Sequence, residues 1–447
     1  MSIFKAYDIR GVVPEQLRAE DAHRIGGAVA RHLGGPVLAV GRDARATSPE
    51  LGDALVRGIT EAGVDVVDLG LVATPMLYFG VDRLETAGGV MVTASHNPAQ
   101  YNGFKVCGPN AVPVGEASGL REIEKLAAEP PVPAERVGQV RNEDVTEPYV
   151  ERMLGFLEGT PDARVALDCG NGMAGVSVAP LLERLPITAE RLYFEPDCTF
   201  PNHPADPLEV ENLADVVDAV RRTGADFGVA FDGDGDRAVF VDENAEPVSS
   251  DLITALLSRS ILQSQPGGRI LFDLRSSRAT AEEIAAAGGV PEMCRVGHSF
   301  IKAQMRESGA VFAGELSGHF YFRFSDTLVA DDATAAFVAM LELLRRERRT
   351  LSELVAPLRR YSGSGEINRR IPDPKAFLQE IEAEHSGAEI SHLDGLLVRY
   401  PDWWFNLRAS NTEPVVRLNL EADDLSQMSR ERDKLVARMD AAGAAAG

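Results

Sequence analysis

Apolar residues along the chain come in short runs, each closed by a polar or glycine-containing turn. Three stretches share one plan, a strand-like apolar run, a turn and then helical spacing. They are VLAVGRDARATSPELGDALVRGI from Val37, VALDCGNGMAGVSVAPLLERL from Val165 and ILFDLRSSRATAEEIAAAGG from Ile270. A short β-type run followed by a 3.6-residue period is the βα half of a parallel α/β unit. Its threefold recurrence predicts three related units. Further along each unit a second strand runs into a polar loop: GGVMV into TASHNP, DFGVAF into DGDGDR, AVFA into GELSGH. Ligands of open α/β sheets gather outside the carboxyl ends of strands. Each unit is therefore expected to offer one loop from the equivalent place.

The connector AAEPPVPAERVGQVRNEDVTE separates the first unit from the second, and VDENAEPVSSD lies near the next division. The pattern changes after the helical run AFVAMLELLRRERRTLSELVAPLRR. From about Tyr361, GLLVRY and PVVRLNLEA alternate as strands, which predicts a smaller α+β unit. The expected units are 1–143, 144–246, 247–358 and 359–447, with the final AAGAAAG expected to fray.

Length supports this division, because 447 residues exceed one ordinary core. The apolar runs are too short and too interrupted by charge to predict a membrane span. The opening MSIFKAYDIRG lacks a signal-peptide layout. Cys107, Cys169, Cys198 and Cys294 show no close metal-type spacing and read as reduced thiols of a cytoplasmic protein. A net charge of −23 argues against nucleic acid or an anionic membrane as partner, but not against a small anion held by local cations. Only six lysines occur, so Lys105 in a glycine-containing loop stands out.

DGDGDR sets Asp232, Asp234 and Asp236 at alternating positions on a tight loop. Oxygen-only ligands favour Mg²⁺ or Ca²⁺ over zinc, although a solvated acidic turn has the same composition. An EF-hand is rejected: its obligatory glycine is Arg237 here, and strand-like residues flank the loop. In TASHNPAQYNGFK, Ser95 lacks the surroundings of a hydrolase nucleophile elbow. A phosphorylated Ser95 could give one oxygen to a cation held by the three aspartates, whose charge would then make the phosphate a better electrophile. A Ser95–His96 dyad competes with this, but neighbours on an extended loop are expected to point apart; a plain turn is the third reading. GELSGH presents Glu315, Ser317 and His319, which suit sugar hydroxyls or an ordinary turn. RASNTEP combines Arg408 with Ser410, Asn411 and Thr412, either an anion nest or a simple turn. No nucleotide-type phosphate loop is present to support ATP as donor.

These four motifs, in this order and across the whole chain, resemble the α-D-phosphohexomutase superfamily. The start FKAYDIRG and the segment FPNHPADPLEVENL are similar to its bacterial phosphomannomutase/phosphoglucomutase branch. The chain departs from that branch in lacking one histidine of the FPNHHPDP-type segment. It also has Leu316 in place of methionine, and Arg275 where relatives place a lysine, which argues against an acid/base role there. The resemblance implies an α/β fold with three similar α/β domains built on mixed sheets. A C-terminal α+β, TATA-binding-protein-like domain would complete a central cleft. It implies a phosphoserine at Ser95, which would also be a metal ligand, with Mg²⁺ held by Asp232, Asp234 and Asp236, and a hexose 1,6-bisphosphate activator. Glu315 and Ser317 would contact sugar hydroxyls; Arg408, Ser410, Asn411 and Thr412 would bind the phosphate that is not reacting. Tyr7, Arg10, Arg237 and His298 would stand beside the substrate, with His96, Lys105 and His319 handling protons or charge. The implied reaction interconverts hexose 1-phosphate and 6-phosphate, with small sugar phosphates as partners, in a monomer or a dimer. Phosphoglucosamine mutase, a sugar-phosphate phosphatase and a noncatalytic sugar-phosphate binder are the alternatives.

Overall fold

The computed structural model describes residues 3–132, 134–409 and 414–444. The first sheet runs Ile9–Val12, Tyr101–Cys107, Gly89–Val92, Val37–Arg42, Asp65–Leu71, Val140–Asn142. The second runs Pro247–Val248, Ala238–Asp242, Phe227–Phe231, Arg164–Asp168, Thr188–Leu192, and the third Val290–Cys294, Arg269–Asp273, Phe312–Gly314, Phe320–Arg323, Val329–Asp331. One arrangement recurs in all three. A central strand (Val37–Arg42, Arg164–Asp168, Arg269–Asp273) has a parallel neighbour on each side. One of those neighbours then turns back into an antiparallel strand, so the sheets are mixed. The reversal is in each case the polar loop singled out from the sequence, at 93–100, 232–237 and 315–319. The helices expected after the central strands are Ser48–Glu61, Ala174–Leu182 and Arg278–Ala286. Pro247–Val248, just past the expected 246/247 division, pairs into the second sheet.

The apolar runs become strands buried on both faces; every residue of Phe227–Phe231 is buried. One apolar cluster continues from Met76 in the first unit through Val165 and Phe227 to Phe337 in the third. Its centre is the helix Ala333–Glu347, buried without a break from Ala333 to Leu343 because its apolar residues cover all sides. Asp332 caps that helix by accepting from the Ala335 N–H, and it also accepts the Tyr149 hydroxyl at 2.8 Å.

The fourth unit is an antiparallel sheet, Ser362–Gly363, Val415–Ala422, Trp403–Ala409, Leu396–Arg399, Glu389–Ser391, with Ile367–Arg370 also on Val415–Ala422. Helices Pro374–Glu384 and Leu425–Ala444 pack on it around a separate core. The second helix runs through part of the segment expected to fray. The fourth unit meets the third through a small apolar cluster of Leu274, Leu397 and Trp404, the Arg278 pairs with Glu421 and Asp423, the Val296 N–H on Asp394, and Arg360 and Tyr361 on Glu282. Among the described residues, no helix is long and apolar enough to cross a membrane.

Candidate active site

The first two loops meet directly. Ser95, buried and in the left-handed region (φ 51°), donates from Oγ to Asp232 Oδ2 at 3.0 Å. Gly233 makes the approach possible, since a Cβ there would lie 2.4 Å from the Ser95 carbonyl oxygen. Contrary to the expectation for neighbours on an extended loop, Ser95 Oγ also lies 3.2 Å from His96 Nδ1. The left-handed turn at Ser95 brings the two side chains together. The second and third loops touch as well: Arg237 and His319 form a bridge, and the Ala238 N–H donates to the Gly318 carbonyl.

Asp232 Oδ1 accepts the N–H groups of Gly235, Asp236 and Arg237, and Oδ2 accepts Arg237 Nε at 3.0 Å. Lys105 Nζ donates to Asp234 Oδ2 at 2.6 Å and Asp236 Oδ2 at 2.7 Å; Thr74 donates to Asp234 from the first unit. Burial and the Asp236 charge raise the Asp232 carboxyl to about 7. Burial also favours the neutral form of Asp236, but Lys105 and His319 hold it well below the usual carboxylate range. Oxygens of the three aspartates lie within 4.8 Å of one another. Asp234 Oδ1 and Asp236 Oδ1 are buried with no hydrogen-bond partner among the described residues. A buried all-oxygen cluster with Asp234 Oδ1 unpartnered and Asp236 Oδ1 met only by His319 at 3.5 Å fits a hard divalent cation. Glu243, the would-be twelfth residue of an EF-hand, instead accepts from Ser352.

The histidines differ in charge. Burial, Arg237 and Arg10 push His96 down to about 2. Burial alone would lower His319 too, but Asp236 at 3.5 Å and Glu315 at 3.4 Å raise it to about 10. Glu315 accepts the Gly297 N–H and the Tyr321 hydroxyl, while Ser317 Oγ lies 2.8 Å from His319 Nδ1. His298, lowered to about 4 by burial and Lys302, stacks near His319 and contacts the Tyr7 ring edge-on at 5.5 Å. Arg10 donates to Asn97 of the serine loop and to Asp8.

A cleft of about 780 Å³ opens beside these loops, lined by residues of all four units, among them Tyr7, Asp206, Arg275, Glu315, Ser317 and Arg408. Arg408 faces Asp394 at 3.6 Å and Glu366 at 3.9 Å. Ser410, Asn411 and Thr412 lie outside the described residues. Arg275 is buried against Asp273 at 2.8 Å and stands 3.5 Å from Glu315, a fixed positive charge in the cleft wall. Sequence reasoning missed Asp206, which reaches Arg237 at 3.6 Å and His96 at 3.9 Å, and Arg295, Glu366, Asp394 and Arg417 of the cleft wall. It also missed Arg45, buried beneath the serine loop. Its place just past the carboxyl end of a central strand marks the region but not the role of Arg45.

Residues 1–131, 147–245 and 249–361 match the phosphoglucomutase/phosphomannomutase alpha/beta/alpha domains I, II and III, and residues 366–438 match the C-terminal domain. A phosphomannomutase of Escherichia coli is 39% identical, over 98% of this chain and 99% of the relative. A phosphomannomutase/phosphoglucomutase of Pseudomonas aeruginosa is 38% identical, over 96% of this chain and 93% of its own length. The crystal structure of a phosphoglucomutase/phosphomannomutase family protein from Burkholderia thailandensis has a TM-score of 0.90 at 36% identity, covering 98% of this chain and 97% of that one. Fold, converging loops and full-length similarity agree, and the chain belongs to the phosphoglucomutase/phosphomannomutase family of α-D-phosphohexomutases.

Proposed function

We propose that the protein interconverts hexose 1-phosphate and hexose 6-phosphate, accepting both mannose and glucose, through a phosphorylated Ser95 and a 1,6-bisphosphosugar. Phospho-Ser95 gives its phosphoryl group to the free sugar hydroxyl: the Oγ–P bond breaks, a sugar O–P bond forms, and the hydroxyl proton passes to a neighbouring base. The bisphosphate turns over in the cleft and its other phosphate returns to Ser95, regenerating the enzyme. Positioning and charge do most of the work in such a transfer. Lys105 and Arg237 supply fixed positive charge on the acidic loop that Ser95 meets. His96, 3.2 Å from Ser95 Oγ, and His319, held cationic by Asp236 and Glu315, are the candidates for handling protons or stabilising charge beside the same acids.

Asp232, Asp234 and Asp236, with a phosphoserine oxygen, would hold Mg²⁺. Once bound, the ion supplies charge neutralisation for the transferring group. Glu315 and Ser317 read sugar hydroxyls, and Tyr7, Arg10 and His298 form the wall beside the sugar. Arg408 with Ser410, Asn411 and Thr412 holds the distant phosphate in both half-reactions. Mannose and glucose differ at C2, so a site reading other hydroxyls in two orientations need not separate them. The same reading keeps the four units at 1–143, 144–246, 247–358 and 359–447, with Pro247–Val248 reaching back to pair with the second sheet.

The observation that carries this reading is the 3.0 Å contact between Ser95 Oγ and Asp232 of the acidic loop. A coupled assay on mannose 1-phosphate and glucose 1-phosphate tests it, with Mg²⁺ and catalytic hexose 1,6-bisphosphate. Comparable rates on both sugars, abolished by a chelator, are expected. Faster release of inorganic phosphate than of isomer would make the protein a phosphatase. Preference for glucosamine 6-phosphate would make it a phosphoglucosamine mutase, and binding without turnover a noncatalytic protein.

A further inference from the structure

Beneath the serine loop lies an arginine turned to the loop's backbone rather than into the cleft. Arg45 follows the central strand Val37–Arg42, and its side chain is wholly buried. Nε donates to Asp43 Oδ2 at 3.1 Å, one terminal nitrogen to the carbonyls of Pro98 and Tyr101, and the other to those of Ser95 and Asn97. These four carbonyl contacts span 2.7–3.0 Å. A guanidinium has five N–H donors, so every one is matched. The Phe200 ring of the second unit covers the group, its centroid 5.4 Å from the guanidinium carbon.

Four carbonyl dipoles from one loop therefore converge on a single buried cation. Without it they would lose a shared donor; the buried Ser95 carbonyl would bear most of the cost, whereas Pro98 lies at the surface and keeps the Tyr101 N–H. The loop also keeps Ser95 in a left-handed conformation that a non-glycine residue holds only when its surroundings impose it. A lysine has three donors at one point and cannot span the fork.

We propose that Arg45 is the positioning residue of the phosphoryl-carrying loop. By fixing the carbonyls of residues 95, 97, 98 and 101 it holds Ser95 Oγ against the acidic loop, and so sets the rate of transfer without touching the sugar. The inference rests on the phosphoserine reading of Ser95.

The test compares the full chain with Arg45→Lys and Arg45→Met. It follows kcat and KM for glucose 1-phosphate, and the rate at which phospho-Ser95 is lost to water by intact mass, below the unfolding temperature of each protein. A loop displaced by about 1 Å predicts kcat lower by about 10²-fold in Arg45→Lys, and lower still in Arg45→Met, with KM within about threefold. Phosphoserine loss should be faster than in the parent. A kcat within about twofold of the parent, or a loss carried by KM, overturns the inference. Amide exchange in the parent decides the matter if neither variant folds. The hydrogen-bonded amides of Thr93, Ser95, Asn97 and Tyr101 should be protected like the strand Gly89–Val92, and exchange there as fast as a free loop overturns it. A parent that neither takes phosphate on Ser95 nor isomerises sugar phosphate refutes the proposed function, while the exchange result still reports on the clamp.

Discussion

His203 shows how a single residue ties pH to stability. Its Nε2 lies 3.0 Å from the buried Asp168 carboxylate, and that hydrogen bond, against the opposing effect of burial, raises the imidazole to about 9. Because the folded value exceeds the unfolded one of about 6.5, the stabilisation is complete below pH 6.5 and disappears as pH rises through 9. Chemical denaturation of the parent and His203→Gln should show the parent ahead by about 2 kcal/mol at pH 6. The gap should shrink by pH 9.5, and a gap independent of pH contradicts the ion pair. The meeting of Ser95 with the acidic loop could be expected from the sequence because the clue is local: three carboxylates within five residues crowd like charge that a neighbouring group must offset. Arg45 and Asp206 offer no such clue. Their roles depend on which carbonyls and cations a distant loop brings to them, and a lone Arg or Asp carries no such record.

Among the elements, the repeated strand–turn–helix pattern was legible because both faces of the strands are covered, leaving unbroken apolar runs. The placement of the loops followed from the same repeat. The edge strand Pro247–Val248 escaped notice, since two residues make no pattern. The contact between loops depends on Gly233, where an added Cβ would press on the Ser95 carbonyl. Gly233→Ala should destabilise the protein by about 1–3 kcal/mol in urea unfolding. It should also lower kcat more than it changes KM. Unchanged stability and unchanged kcat would mean the loops do not need this approach.

The whole molecule carries a net charge of −23, whereas its cleft sets Lys5, Arg275, Arg295, Arg408 and Arg417 against Asp206, Glu209, Glu315, Glu366 and Asp394, so an anion there would meet balanced walls rather than the field of the whole chain. One apolar cluster runs through the first three units, whereas the fourth has a core of its own and meets the third through a small apolar cluster and polar links at Arg278, Asp394 and Glu282. Closure of the cleft is therefore expected as motion of the fourth unit, excluding water from the phosphoserine. Small-angle scattering should show a smaller radius of gyration with hexose 1,6-bisphosphate than without; an unchanged radius contradicts closure. The central claim is tested most directly by treating the protein with glucose 1,6-bisphosphate and Mg²⁺, mapping the phosphate by mass spectrometry, and then adding glucose 1-phosphate. One phosphoryl group on Ser95, passed to the sugar as the bisphosphate and absent in an inactive Ser95→Ala protein, is the predicted result. Phosphate on another residue, or full turnover by Ser95→Ala, would contradict it.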